Sequence, residues 1–480
     1  MKKTFVLIAI SISLAVNSQI GTYTWSEYIP ESSSVTNIDT WNPDFNNAFV
    51  LCMAHGLTVF NQKEELFLID SKTFQEKKKI DFPKYKGYDQ FSIKYLKRIT
   101  TNIVDLNQNL VLFYSNRPNK KYAVSAVKIK EDLISPEKPE YLFSVEDANN
   151  VMFSKNDKKD VCVFTYETEN KKENRKWFHY HIYNGNLQLL KCDSIGSDRK
   201  SPDTLYAMAH DNGCAIIKNN GLKRTITIID VKNNKTNTFE LLKGNNFLTV
   251  ERIKLIANDK MIFFGKYFSV VSKKKISCGM FKVVYNQKTN AIEDQVYFDH
   301  VPVGKDEEED HDKSIEKALI TETGACYALI SQNNMDWDRR YLQFFGITKF
   351  ELVCINTSAE KWKKQIPIHK GTGYTANMNY LNGNLFLSYV DFEDSKNKIN
   401  YNNYVFGEPY PFSTTSRRDH ESNVSLLKIN PAGNIEHQNL ADLCYKSIMK
   451  FNNEFIVIDQ GINGPAHSKC KFLKITLMDQ

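Results

Sequence analysis

The sequence predicts an all-β fold: a single closed ring of eight four-stranded units. Three observations predict it. An apolar segment, a tight polar turn and a denser apolar run recur eight times along the chain. A second, more polar hairpin follows seven of the eight copies. No sustained 3.6-residue apolar period with caps occurs, so helices are not expected.

The first hairpin of each unit reads DFNNAFVLCM, VDLNQNLVLFY, FSKNDKKDVCVFTY, AHDNGCAIIK, IANDKMIFFG, ITETGACYALI, YLNGNLFLSYV and KFNNEFIVID. Its turn positions are Asn46, Asn107, Asn156, Asp211, Asn258, Thr323, Asn382 and Asn452. Asn, Asp and Gly dominate these turns because they tolerate positive φ or bond their own backbone. The second hairpin is seen in FLIDSKTFQEKKKI, HIYNGNLQLLK, IIDVKNNKTNTFEL, KVVYNQKTNAIEDQVYF, VCINTSAEKWKKQI and LKINPAGNIEHQNL, and with a longer turn in VKIKEDLISPEKPEYLF. Four strands grading from apolar to polar follow the logic of a propeller blade packed from axis to rim. The units repeat at about 58 residues, against roughly 40–50 for compact propeller repeats, so the excess is loop.

The ends bear on closure. The eighth unit stops at CKFLKITLMDQ after its third strand, while IGTYTWSEYI, an alternating segment from Ile20, precedes the first unit. That segment is expected to supply the missing outer strand and close the ring, which removes an open edge. Seven blades, or two smaller propellers, is the alternative count.

Before Gln19 the chain reads as an export signal. Lys2 and Lys3 form a charged start, Phe5 to Val16 a short apolar run, and Val16-Asn17-Ser18 a cleavage site. Residues 1–18 are therefore expected to be a signal peptide and 19–480 the propeller, exported to the periplasm, the cell surface or the medium. No later run is long enough to span a membrane. Of 480 residues, 41% are apolar and 25% charged, enough for a sizeable core. The net charge of +7 is spread among interleaved acids rather than gathered in a basic stripe, which argues against nucleic acid. Nine cysteines lie at wide spacings with no CxxC pair. Cys162, Cys326 and Cys354 sit inside apolar runs, where a free thiol behaves as a small hydrophobe.

In an antiparallel blade with strands a to d counted outward, the a–b and c–d turns share one face. The b–c loops and d-to-a connections share the other. The three long segments, DHVPVGKDEEEDHDKS, SQNNMDWDRRYLQFFG and DFEDSKNKINYNNYVFGEPYPFSTTSRRDHES, all fall on the b–c face of units 5 to 8. Long loops in compact domains are often functional. Arg339, Arg340, Arg417 and Arg418 suit bidentate recognition of anionic groups, and Trp337, Tyr404 and Tyr410 offer stacking surfaces, with His420 beside them. The bland alternative pairs these arginines with Asp336, Asp338, Asp419 and Glu421. Catalysis by His420 with Ser413 or Ser416 lacks a visible geometry, because sequence neighbours in extended chain point apart. The acidic run Asp306 to Asp312 lacks the spaced pattern of an EF-hand, so neither metal nor cofactor is expected, and calcium at that run stays open. His179 and His181 share a strand face, but two histidines make an incomplete zinc site.

The repeat resembles the β-propeller superfold along nearly the whole mature chain. Its short polar turn before a buried strand is similar to the quinone-dependent dehydrogenase and outer-membrane assembly propellers, without their tryptophan docking motif. WD strand ends, kelch double glycines and the sialidase SxDxGxTW box are missing as well. The fold alone assigns no function. The expectation is a non-catalytic binding propeller that engages a glycan, a peptide or an envelope protein through the long loops. A carbohydrate-active hydrolase or lyase on the same face is the alternative.

Overall fold

A computed structural model describes residues 20–26, 35–45, 47–55, 63–95, 100–118, 121–147, 151–201, 203–271, 274–299, 313–336, 344–366, 376–392, 422–443, 445–451, 454–462 and 468–478. Eight separate sheets hold the ordered strands, and the described residues contain no α-helix. Blade 1 is Val35–Phe45, Ala48–His55, Lys63–Asp70 and Glu76–Asp81. Blade 2 is Ile103–Leu106, Asn109–Asn116, Tyr122–Ile129 and Glu140–Val145, and blade 3 is Met152–Lys155, Val161–Asn170, Arg175–Asn184 and Leu189–Asp198. Blade 4 runs from Thr204–His210 through Gly213–Asn220 and Lys223–Asp230 to Lys235–Leu241. Blade 5 comprises Phe247–Ile256, Lys260–Val271, Lys274–Asn286 and Ala291–Asp299. Blade 6 comprises Lys313–Ile320, Cys326–Asp336, Phe344–Ile355 and Lys361–Ile366. Blade 7 is Ala376–Leu381, Asn384–Phe392, Ser422–Ile429 and Ile435–Leu443.

Blade 8 takes three strands from the C-terminal part, Tyr445–Phe451, Glu454–Ile462 and Ser468–Leu477, and its outermost strand, Gly21–Trp25, from the N-terminal part. The two ends pair antiparallel from Gly21↔Leu477 to Trp25↔Leu473. Gln438 of blade 7 anchors this clasp: its Oε1 accepts from the N–H groups of Ile20 and Gly21 at 2.9 and 3.0 Å, and its Nε2 donates to Gly21 O at 3.1 Å. A Cβ at Gly21 would lie 2.9 Å from Leu426 Cδ2, so only glycine passes this close to blade 7.

Each blade packs its apolar faces against its neighbours. Among the described residues, seven hydrophobic clusters each join two adjacent blades, from blades 1 and 2 round to blades 7 and 8. At the junction of blades 8 and 1, Phe472 of blade 8 meets Phe49 edge-on at 5.4 Å and stacks on Phe74 at 5.6 Å, both from blade 1. The ring is therefore closed by packing as well as by the clasp. Burial falls outward as the polarity gradient requires. In blade 2, strand b (Asn109–Asn116) is buried along nearly its whole length, whereas the outer Glu76–Asp81 of blade 1 is mostly exposed.

The turns behave as their residues dictate. Asn107 and Gln108 both adopt positive φ, 39° and 57°, as do Asn382 and Gly383 at 46° and 84°. Paired left-handed residues twist a two-residue hairpin in the hand of its strands. One departure from the simple repeat lies between blades 1 and 2. There Asp89–Gln90 pairs with strand b of blade 2, and Ile93–Tyr95 runs parallel to Met152–Lys155 on the axial edge of blade 3. Phe91 and Ile93 are buried there, so this excursion is part of the core at the b–c face.

A cleft on the short-turn face

The residues singled out in the long loops, Trp337, Arg339, Arg340, Tyr404, Tyr410, Arg417, Arg418 and His420, lie outside the described residues, as does the acidic run 306–312. The strands that carry these segments are described. Asp336 pairs with Phe344 in blade 6, Phe392 pairs with Ser422 in blade 7, and Asp299 ends blade 5. All three points are b–c or d-to-a positions, hence on one face. At the root of that face, Asp299 accepts from the Tyr267 hydroxyl and pairs with Lys243 at 3.0 Å. The Lys243 ammonium also rests 3.5 Å from the Tyr267 ring and 4.3 Å from the Tyr297 ring, which joins blades 4 and 5.

The opposite, short-turn face holds a cleft of 840 Å³ that sequence reasoning did not anticipate. It lies between the a–b turn of blade 2 and the c–d turns of blades 2 and 3. Four exposed carboxamides, Asn107, Gln108, Asn186 and Gln188, line it, with exposed Pro136 at its rim and buried Phe45 beneath. The only signal in the sequence was amide density in two turns, LNQN and NGNLQ, which equally well reads as ordinary turn chemistry.

Both walls of the cleft are fixed by the core beneath. Leu133 in one c–d turn and Leu187 in the other have left-handed backbones, φ 51° and 62°. That conformation is unfavourable for a bulky residue. It is held because both side chains are buried, Leu133 in the core of blades 1 and 2 and Leu187 in that of blades 2 and 3. The Tyr85 hydroxyl donates to Pro136 O at 3.0 Å and ties down the first wall. Across the cleft, Asn107 Nδ2 donates to Asn186 Oδ1 at 2.9 Å, and Lys128 Nζ donates to Asn186 O at 3.0 Å while pairing with Glu140 at 3.1 Å. A Cβ at Gly185 would come within 2.5 Å of Asn107 Cβ, so glycine lets the two turns meet.

Beside the cleft, at the axial end of the inner strands, is a charged cluster. Asp105 of blade 2 pairs with Lys155 and, at 3.0 Å, with Lys159 of blade 3. Lys159 Nζ also donates to Asn42 O of blade 1 at 2.6 Å, so one ammonium joins three blades. The Lys159 carbonyl accepts from the Asn107 N–H at 2.9 Å, which connects the cluster to the cleft. Burial pushes the Asp105 carboxyl upward, but the two ammonium charges outweigh it and hold it below the usual carboxylate range. Asp105 is thus a fixed anion with its partners supplied, unlike a carboxylic acid poised to give up a proton near neutrality.

Three histidines of blades 3 and 4 are favoured in the neutral form by their surroundings. His179 and His181 do share one face of blade 3, stacked on Tyr166 at 4.8 and 5.7 Å. Burial, helped by the neighbouring His179, pushes His181 down to about 4, and burial also lowers His179. Among the described residues no group of three or more His, Cys, Asp or Glu is placed to hold a metal. His210, at the inner end of blade 4, is 1% exposed, and burial pushes it down to about 4. The thiols of Cys162, Cys214, Cys326 and Cys354 are buried and raised by burial, so they behave as core hydrophobes, while Cys192 is exposed.

No protein-family model and no curated protein matches the chain. Among solved structures, it is similar to the polysaccharide lyase Uly1, with 9% identity over 94% of this chain and 90% of that one and a TM-score of 0.41. The WD40 domain of SCAP from fission yeast gives 8% identity over 97% of both chains and a TM-score of 0.41. The β-propeller domain of the Trilobed protease from Pyrococcus furiosus gives 10% identity, 86% and 97% coverage and a TM-score of 0.36. The propeller assignment rests on the eight sheets themselves, and these likenesses carry no chemistry over to this chain.

Proposed function

We propose that this is an exported, non-catalytic binding propeller that recognises a glycan, a peptide or an envelope protein. The observation that supports it is the character of the described cleft: carboxamides and one lysine–glutamate pair on walls locked to the core, next to an aspartate whose charge is already satisfied. Pre-formed walls lower the ordering cost of binding. An enzymatic site at this cleft would call for a carboxyl raised toward neutrality, and the neighbouring Asp105 is moved the other way. The long segments after Asp336 and Phe392, with Arg339, Arg340, Arg417 and Arg418, would form a second contact surface for anionic groups on the far face.

The test is a capture from envelope extract by the purified mature protein. Two folded variants are run beside it, one with residues 393–421 replaced by a short Gly/Ser linker and one carrying Gln108→Ala with Gln188→Ala. A ligand retained by the native protein and lost by either variant supports the reading and assigns the face. Turnover of a polysaccharide by the native protein, with release of reducing ends or unsaturated sugars, would sink it.

A further inference from the structure

The cleft on the short-turn face has a chemistry that narrows its ligand. Its charged lining residues are Lys128, Lys130, Glu131 and Glu140, two of each sign, so no net charge selects an ion. Lys128 and Glu140 already face each other at 3.1 Å. What remains is a set of carboxamides, each able to donate and accept at neighbouring atoms. Gln188 is half committed: its Oε1 accepts from Asn184 Nδ2 at 2.8 Å, which leaves its amide hydrogens to donate. Asn107 gives one amide hydrogen to Asn186 and keeps its oxygen as an acceptor. Gln108, exposed at the tip of a turn with positive φ, stands beside them.

Paired donors and acceptors at fixed positions complement vicinal hydroxyls, each of which also donates and accepts. Exposed Pro136 at the rim offers apolar surface to the C–H face of a pyranose ring, while Phe45 is buried in the core beneath. The volume of 840 Å³ falls in the range of small-ligand sites, roughly 300–1,000 Å³. Peptides are more commonly taken up along a free strand edge, by main-chain hydrogen bonds. This cleft is lined mainly by turn side chains, and of the outer strand of blade 2, Glu140–Val145, only its first residue, Glu140, lines it. From this geometry we infer that the cleft binds an uncharged oligosaccharide, with Gln108 and Gln188 as its specificity-determining contacts. The inference deepens the binding reading and rests on it.

The experiment is a screen of the full mature protein against an array of neutral gluco-, manno-, xylo- and N-acetylglucosamine oligomers, followed by calorimetric titration of the best binder. The expected result is saturable binding whose affinity holds constant from low to high salt, because no net charge is engaged. Gln108→Ala and Gln188→Ala should each weaken it at least tenfold, the first with an unchanged thermal midpoint and the second with at most a small fall, since it also frees Asn184 Nδ2. Asn186 is avoided in the test because its loss would free Asn107 and the wall. No binder on the array, binding that both variants retain, or binding confined to anionic glycans would overturn the inference. So would competition by an unstructured peptide at the same residues. Failure here with capture still dependent on residues 393–421 removes the sugar cleft but leaves the binding function. Failure of both removes the function as well.

Discussion

Single buried or half-buried residues within the blades carry charges and rings whose states can be tested. Asp105 sits between two lysines with only 15% of its side chain exposed. Asp105→Asn would leave two ammonium groups facing one another across three blades. Breaking a largely buried pair from one side costs about 3–5 kcal/mol, and urea unfolding at neutral pH should register a loss of that order. The double change that also replaces Lys155 by Met should recover part of it. The histidines give a pH signature. His181 and His210 ionise near 4 in the folded chain, against about 6.5 when unfolded. The unfolded chain therefore binds protons first as pH falls. The stability is complete above about pH 6.5 and is lost progressively toward pH 4, by up to about 1.4 kcal/mol per pH unit for each group. His181→Phe keeps the stack on Phe143 and removes a buried Nδ1 that has no hydrogen-bond partner, at the loss of the long 3.4 Å contact between Nε2 and the Tyr166 hydroxyl. Denaturation at several pH values should show the variant at least as stable at pH 7 and with a shallower slope below 6.5. An unchanged slope would mean that His181 is protonated at no cost in the native state.

At the level of strands and turns, the N-terminal strand carries closure. Gly21–Trp25 brings five residues of pairing, and Gln438 ties it to blade 7 with three hydrogen bonds. Gln438→Ala leaves the Ile20 and Gly21 N–H groups without that acceptor, a loss of about 1–3 kcal/mol. Gly21→Val should cost more, since its side chain would run into Leu426 and the Thr476 carbonyl. Both are measurable as falls in the thermal midpoint, and hydrogen exchange should localise the loosening to Ser468–Leu477. If exchange there stayed at the native rate, the clasp would be incidental to stability. This strand was legible in the sequence because IGTYTWSEYI alternates and the last unit lacks a fourth strand. The a–b turns were legible too, since Asn107 and Asn382 announce positive φ. Strands Asp89–Gln90 and Ile93–Tyr95 were not. They are only two and three residues long, and no periodicity of two can be read over so short a run.

For the whole molecule, topology was readable and surface relief was not. A radial repeat leaves its mark on every unit, so eight similar hairpins announced eight blades. A cleft forms where turns from two blades meet, and Asn107 finding Asn186 across 79 positions leaves no local mark in sequence. The long segments drew attention for the opposite reason, as local excesses of Arg and aromatics. Their attachment points now make a firm forecast about the ring. Phe392 and Ser422 are already opposite one another in register, with seven further pairs behind them down to Leu385↔Ile429. Among the described residues, blade 7 packs against blade 6 through Leu385, Leu387, Tyr389, Leu427 and Ile429. Replacing those residues by a short Gly/Ser linker shortens a loop whose ends the sheet holds together, and loop-closure entropy changes slowly with length, by about 0.6 kcal/mol per doubling. The thermal midpoint of the linker variant should therefore match or slightly exceed that of the native protein. A drop of ten degrees or more would mean that the segment packs into the ring, and any loss of binding in that variant would then report damage to the scaffold instead of a lost contact.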